Sequence, residues 1–311
     1  MRAFIVPDFG ADGALGERPI PEPAEGEVRV RVDAAGVNAV DVAVVAGYLK
    51  AYIETRLPLV PGLDLAGTID AIGAGVTDFA VGDDVFGNVT KPYFGDGTFA
   101  EYAVSSASTL RQRPANVDAV SAAALPLSGG TALGLVAAAQ LEPGQVVLIM
   151  GAGGGIGSYA IALAVHAGAH VIAATRGELA DQVRALGASE VVDYTLGDVV
   201  PALRASHPDG IDAIIDSSSD DATLNRLADA LKPGGRLASL SRSLDIEGLA
   251  GRGLIGVQPS GGVDRIAELA DLVAGGLRIP VTTYPLAEAG RALAEQATRQ
   301  VRGKLVLIVR P

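Results

Sequence analysis

The stretch Gln145-Val146-Val147-Leu148-Ile149-Met150-Gly151-Ala152-Gly153-Gly154-Gly155-Ile156-Gly157 decides the fold. The run up to Met150 is short, apolar and free of proline, which reads as a buried strand. Beyond the glycines, Ile156, Ile161, Ala164 and Val165 recur at helical spacing as far as Gly168. Between a strand and a helix a glycine turn has a chemical meaning. Backbone without Cβ atoms approaches a pyrophosphate closely, and the helix amino terminus offers N–H groups and the positive end of a dipole. The glycines at 151, 154 and 157 are three apart, with 153 and 155 between them, rather than in the G-x-G-x-x-G arrangement. With these flanks Gly151, Ala152, Gly153, Gly154, Gly155, Ile156 and Gly157 read as a nucleotide-binding turn, against the plainer alternative of a tight bend.

Working outward, the chain after Gln145 alternates strand with helix. Strands are predicted at 146–150, 170–175, 190–193, 211–216 and 236–239, and helices at 156–167, 178–186, 198–206 and 221–231. That rhythm means βαβ units and a parallel sheet. Lys232-Pro233-Gly234-Gly235 reads as a helix stop. A helix at 263–274, an extended run from Pro280 to Pro285, a second helix and an apolar strand at 305–309 close the chain. Residues 1–120 behave differently. Short β-like runs at 28–32, 65–72, 84–86 and 99–104 are separated by Gly- and Asp-rich turns, which suggests an irregular barrel. Residues 118–139 look helical, interrupted near Pro126 to Gly130.

With 311 residues, 49% of them hydrophobic, there is ample material for a core, and aromatics at 4% leave it to Ala, Val, Leu and Gly. Two uncharged runs, 119–139 and 146–175, are long enough to test as membrane spans. Proline and glycines break them and no basic clusters flank them, so no membrane partner is expected. The net charge of −12 excludes a role built on nucleic-acid phosphate. There is no cysteine, hence no disulfide and no thiolate metal site. The apolar run at 3–6 is too short for a signal-peptide core, and a cytoplasmic location is the default.

Further motifs fall in a telling order: Ala35-Gly36-Val37-Asn38-Ala39-Val40-Asp41, Pro61-Gly62-Leu63-Asp64-Leu65-Ala66-Gly67, Gly82-Asp83-Asp84-Val85-Phe86-Gly87, Gly97-Thr98-Phe99-Ala100-Glu101-Tyr102, Gly130-Thr131-Ala132, the glycine turn, Leu186-Gly187-Ala188 and Gly303-Lys304-Leu305-Val306-Leu307. Over its whole length the chain resembles the medium-chain dehydrogenase/reductases of the zinc-free quinone oxidoreductase, zeta-crystallin-like branch. The resemblance implies an α/β protein with a GroES-like β-barrel catalytic domain over 1–121, completed by 258–311, and a Rossmann NADPH-binding domain over 122–257. Zinc-dependent members of the superfamily carry Cys where Asn38 stands and His-Glu where Leu63-Asp64 stands. The three histidines are 166, 170 and 207. His166 and His170, four apart, make half a metal site at most, so no metal is expected. Without a Lewis acid to polarise an alcohol, the chemistry points to reduction of a quinone or an α,β-unsaturated carbonyl.

The strand at 170–175 ends in Thr175-Arg176-Gly177, with no acid at its tip to take a ribose hydroxyl. Arg176 offers a forked contact to a 2′-phosphate instead, with Glu178 as a competitor, which favours NADPH. Ser217-Ser218 and Leu240-Ser241 follow the fourth and fifth strands, where ligands lie in open parallel sheets. The resemblance adds Tyr194 at the adenosine phosphate end, Thr131 at the nicotinamide carboxamide and Asn38 at the reacting end. It also places Tyr48 and Tyr52 beside the substrate cleft, as hydrogen-bond donors or packing aromatics, and Asp41 as a helper, against the plainer reading of Asp41 as an N-cap. Specificity is expected from 47–58 and 89–97. The proposed chemistry is hydride transfer from the nicotinamide C4 to an electrophilic carbon, with a proton from solvent or a tyrosine. An enoyl-thioester reductase, a natural-product tailoring enzyme and a non-catalytic NADPH-binding protein stay open as alternatives. Relatives of this kind form homodimers through the edge of the Rossmann sheet, for which 244–257 is the candidate.

Overall fold

A computed structural model describes residues 1–259 and 265–310. The chain divides into two compact units, Met1–Ser128 with Val263–Leu277 and Val281–Pro311, and Gly129–Gly262 with Arg278–Pro280.

The first unit begins with an antiparallel pair, β1 (Arg2–Ile5) and β2 (Ala14–Glu17). Its spine is β3 (Glu27–Val37), whose alternate residues Val28, Val30 and Val32 are fully buried, as a half-buried strand requires. There follow α1 (Ala39–Val45), β4 (Glu54–Val60), β5 (Asp64–Ile72), β6 (Asp84–Asn88), β7 (Tyr93–Asp96), β8 (Tyr102–Ser106), β9 (Leu110–Gln112) and α2 (Ala119–Ala123). The helix α3 (Pro126–Ala139) comes next, and the division between units falls within it.

The second unit carries β10 (Val146–Met150), α4 (Gly155–His166), β11 (His170–Thr175), α5 (Ala180–Ala185), β12 (Glu190–Asp193), α6 (Val199–Ser206) and β13 (Ile211–Asp216). It ends with α7 (Asp221–Leu227), β14 (Leu231–Ser239), α8 (Ile246–Gly251) and β15 (Ile255–Val257). The six strands form one parallel sheet in the order β12-β11-β10-β13-β14-β15. This is the sheet that the strand–helix rhythm predicts. The chain then returns to the first unit with α9 (Ile266–Ala274), β16 (Val281–Pro285), α10 (Ala289–Ala297) and β17 (Lys304–Ile308). There β17 pairs antiparallel with β3, in a sheet ordered β16-β17-β3-β5-β6-β9 with β8 also on β3.

Three expectations shift. The interruption predicted near Pro126 to Gly130 lies earlier, at Ala124-Leu125, because Pro126 opens α3, where a missing N–H costs nothing; Gly129 and Gly130 continue the helix. Lys232-Pro233-Gly234-Gly235 belongs to β14 rather than to a helix stop, and it is absorbed by a register shift between Ile211 and Ala213 opposite. The strand expected at 99–104 is β8, starting at Tyr102. Of the helix predicted at 263–274, residues 263 and 264 lie outside the described residues.

Candidate active site

In the second unit β10 delivers the chain into Gly151, which takes φ +65°, a conformation costly for any side chain. The turn is packed from within. A Cβ on Gly157 would lie 2.3 Å from the carbonyl oxygen of Gly151, and one on Gly153 would strike Leu179 and the Thr175 hydroxyl. Gly154 is the exception: a Cβ there would meet only the Gly151 carbonyl oxygen, at 3.6 Å. Gly154 is also the N-cap of α4, with no side chain to cap it, so the first-turn N–H groups remain for a ligand. These residues fit a dinucleotide pyrophosphate. Gly157→Ala must open the turn, and we expect at least a tenfold loss of NADPH affinity by fluorescence titration, about 1.4 kcal/mol, with the far-UV circular dichroism unchanged.

The residues expected around this turn are placed as follows. Arg176 follows β11 and pairs with Glu178 at 3.1 Å, so the predicted competitor is its neighbour in the structure. Thr175 is buried. Tyr194 is 42% exposed and lines a cavity of about 220 Å³ with Met150, Asp198 and Arg226. Ser217 and Ser218 follow β13 beside Gly151, where the Ser218 hydroxyl limits the room for a Cβ. No motif signals what arranges this edge. Asp216, 1% exposed, accepts from the backbone N–H of Ser218 and Ser219 and from the Ser239 hydroxyl, and Ser239 in turn accepts from the N–H of Ser241. The N–H of Leu240 donates to the Asp216 carbonyl. Thr131 is half-buried on α3.

In the first unit the motif around Asn38 and the motif around Asp64 meet in a buried polar network. Lys304, 2% exposed at the start of β17, donates to the Val37 carbonyl at 3.0 Å, to Asp64 Oδ2 at 3.3 Å and to Asn38 Oδ1. Asp64 also accepts from Asn38 Nδ2, from Asn88 Nδ2 and from the N–H of Leu127. Burial pushes the Asp64 carboxyl upward, and the Lys304 charge and the hydrogen bonds from Asn38 and Leu127 act against it. Both ends of the Asn38 amide are therefore engaged inside the protein. Asn88 did not stand out in the sequence and Lys304 did so only within the motif 303–307, although a lysine opening an apolar strand was a signal for a buried partner.

This geometry tests the zinc that the superfamily implies. The positions of the zinc ligands hold Asn38, Leu63 and Asp64, without thiolate or imidazole, and the side-chain oxygens of Asn38 and Asp64 converge on an ammonium. The residues do not fit a catalytic zinc, because Lys304 already supplies the positive charge.

Asp41 is the N3 residue of α1 and its carboxylate accepts from the N–H of Asn38 at 2.7 Å, the returning arm of a capping box. Its pKa is pushed up to about 7, chiefly by burial and further by the charge of Asp64, against the Asn38 hydrogen bond and Lys304. Unfolded Asp titrates near 3.9, so the folded chain holds the extra proton between about pH 4 and 7. Stability from this group is complete below that window and is lost as pH rises through it. Between pH 5 and pH 7 the loss amounts to about 2–3 kcal/mol. Urea unfolding should show Asp41→Asn losing correspondingly less stability over that interval than the wild type.

Asp41 lines a cavity of about 190 Å³ with Leu63, Val89, Lys91, Tyr93 and Phe94. Its lining draws heavily on 89–97 and includes nothing from 47–58. Tyr48 and Tyr52 stand 75% and 78% exposed after α1, apart from that lining. The phenol at the cavity is that of Tyr93, which donates to Asp96 at 2.9 Å while the Arg56 guanidinium lies 3.4 Å from its ring centre.

Comparison with known proteins agrees with this geometry. Residues 24–115 match the family described as alcohol dehydrogenase GroES-like domain, and residues 186–307 the one described as zinc-binding dehydrogenase. Over 320 residues the chain is 30% identical to the chloroplastic NADPH-dependent alkenal/one oxidoreductase of Arabidopsis thaliana, which covers 99% of this chain and 79% of that protein. The structure of the quinone oxidoreductase from Coxiella burnetii superposes with a TM-score of 0.89 at 30% identity, covering 100% of this chain and 99% of that one. The Escherichia coli quinone oxidoreductase complexed with NADPH gives 0.87 at 25% identity, covering 99% and 100%. The chain belongs to the medium-chain dehydrogenase/reductase superfamily and, within it, to the zinc-free quinone oxidoreductase branch.

Proposed function

We propose that the chain is a zinc-independent, NADPH-dependent oxidoreductase that transfers a hydride to a quinone or an α,β-unsaturated carbonyl. The observation that carries this reading is the uncapped amino terminus of α4 behind a turn too tight for any Cβ at 157. Relatives named for NADPH-dependent alkenal/one and quinone reduction support the substrate class. NADPH, when bound, supplies the hydride. The glycine turn holds its pyrophosphate through backbone N–H groups, and Arg176 takes the 2′-phosphate. Thr131, Ser217, Ser218, Leu240 and Ser241 position the rest of the cofactor. The cavity beside Asp41 receives the substrate, where the Lys91 ammonium stabilises negative charge developing on its carbonyl oxygen.

The test is NADPH consumption with a panel of small quinones and enones after exhaustive chelation. Turnover with at least one of them supports the reading. NADPH binding without turnover on any acceptor overturns it in favour of a non-catalytic binder.

The same reading makes the protein a cytoplasmic homodimer. Among the described residues no helix is long and apolar enough to cross a membrane. At the sheet edge, Ile255 of β15 and Ile246 of α8 are 40% and 43% exposed, an apolar edge suited to a second copy. Light scattering should give twice the chain mass, and Ile255→Lys should lower it.

A further inference from the structure

Three side chains converge at the amino-terminal ends of the parallel strands, the end of the sheet away from the glycine turn. His170 opens β11, Glu190 opens β12 and His207 is the C-cap of α6. His170 Nε2 lies 2.6 Å and His207 Nε2 3.1 Å from the same oxygen, Oε1 of Glu190. The two rings meet edge to face with centroids 6.2 Å apart, and the three ligand atoms all lie within 4.8 Å of one another. His166, which the sequence pairs with His170 by spacing, is not part of the group. The partner that sequence spacing could not supply is brought in by the fold, 37 residues further on.

The backbone holds all three in place. β11 is bound on one side to β10, with Val146 opposite His170, and on the other to β12, with Ile172 opposite Glu190. The N–H of His207 donates to the Leu203 carbonyl at 2.7 Å, and its own carbonyl accepts from Gly210. The side chains are 40%, 34% and 19% exposed for His170, Glu190 and His207, open to a small solute yet not free to disperse.

One carboxylate oxygen facing two imidazole nitrogens is more than an ion pair needs. Two imidazoles and a carboxylate form a donor set suited to a borderline divalent ion, with water completing a tetrahedron. Bonds of about 2.1 Å in a tetrahedron separate neighbouring ligand atoms by about 3.4 Å. The observed 2.6 and 3.1 Å are tighter than that by less than an ångström, a gap that rotation of the Glu190 side chain opens. The protein's net charge of −12 raises the local concentration of cations.

We propose that His170, Glu190 and His207 form a solvent-accessible binding site for a divalent transition-metal ion, Zn²⁺ in particular, which ties β11, β12 and α6 together at the end of the sheet away from the cofactor turn. The same two imidazole nitrogens that face the carboxylate turn onto the ion. A ligand that binds only the folded chain stabilises it by mass action. This role is structural and leaves the zinc-independent chemistry untouched.

The test uses the full chain, freed of metal by chelation and titrated with Zn²⁺ alone in competition with a chromophoric chelator. One equivalent is expected at a Kd below about 10 µM, so that ~100 µM Zn²⁺ raises the folded-to-unfolded ratio at least about tenfold and lifts Tm. Glu190→Gln and His207→Ala should each weaken binding at least tenfold while NADPH affinity stays unchanged. Co²⁺ on the unmodified chain gives a readout independent of any variant, with the intense visible bands of a four-coordinate N/O site. Absence of binding below ~100 µM, undiminished binding in the His170→Ala/His207→Ala double variant, or the weak spectrum of six-coordinate cobalt would each overturn the proposal.

Discussion

Replacing Lys304 by Met is expected to destabilise the chain by about 3–5 kcal/mol, a large part of the stability of an ordinary domain. Lys304 and Asp64 are 2% and 0% exposed, so neither charge is shared with solvent. Removing the ammonium leaves the Asp64 carboxylate buried with only amide donors, from Asn38, Asn88 and the Leu127 backbone. It also takes a donor from the Val37 carbonyl and leaves the Asn38 side-chain oxygen with Ser128 at 3.4 Å. A buried charge without its partner is far more costly than the absence of the pair. Asp64→Asn combined with Lys304→Met should therefore recover part of the loss, and the coupling between the two sites should exceed 1 kcal/mol. Urea unfolding of the four proteins of the cycle measures it. A loss below about 1 kcal/mol in Lys304→Met would show that water or rearranged neighbours solvate Asp64.

That network also shows where sequence reading reaches its limit. The parallel sheet was legible because buried strands read as apolar runs, and β10, β11, β12 and β13 fall on the predicted residues. The glycine turn was legible because sterics alone demand it. Short elements were harder to see: β2 is a largely exposed four-residue strand, and β4 contains Pro58 and pairs with β7 in a shifted register, so neither carries a period-two signal. For the site, residues whose role is set by their own local backbone were partly readable: Asp41 reads as an N-cap, whereas Asn38 is the N-cap of α1 and Asp41 its N3 partner. Residues whose role depends on distant chain were not. Lys304 reaches Asn38 across 266 residues, and Asp216 joins the N–H groups of the turn after its own strand to the Ser239 hydroxyl of β14, which only the sheet makes a neighbour. Tyr93 stands at the barrel cavity although no spacing distinguishes it from Tyr48 or Tyr52, since exposure is settled by tertiary packing.

Arg176→Ala should raise the KM for NADPH about 10–100-fold and that for NADH less than threefold. The range corresponds to the loss of one charge-assisted, forked contact, about 1.4–2.8 kcal/mol. The guanidinium follows β11, at the carboxyl end of a parallel strand next to the glycine turn, and NADH presents no 2′-phosphate for it to hold. Glu178 sharpens the test. Its carboxylate lies 3.1 Å from the Arg176 guanidinium and must be displaced or share the group when a 2′-phosphate arrives. Its charge also opposes that of the phosphate directly. Glu178→Gln should accordingly lower the NADPH KM severalfold and leave that for NADH nearly unchanged, and in the double variant only the smaller gain from relieved direct repulsion should remain. Steady-state kinetics with both cofactors at a saturating quinone separate these outcomes. Equal changes for NADPH and NADH in Arg176→Ala would mean that the arginine shapes the turn and that cofactor choice is made elsewhere along the carboxyl edge of the sheet.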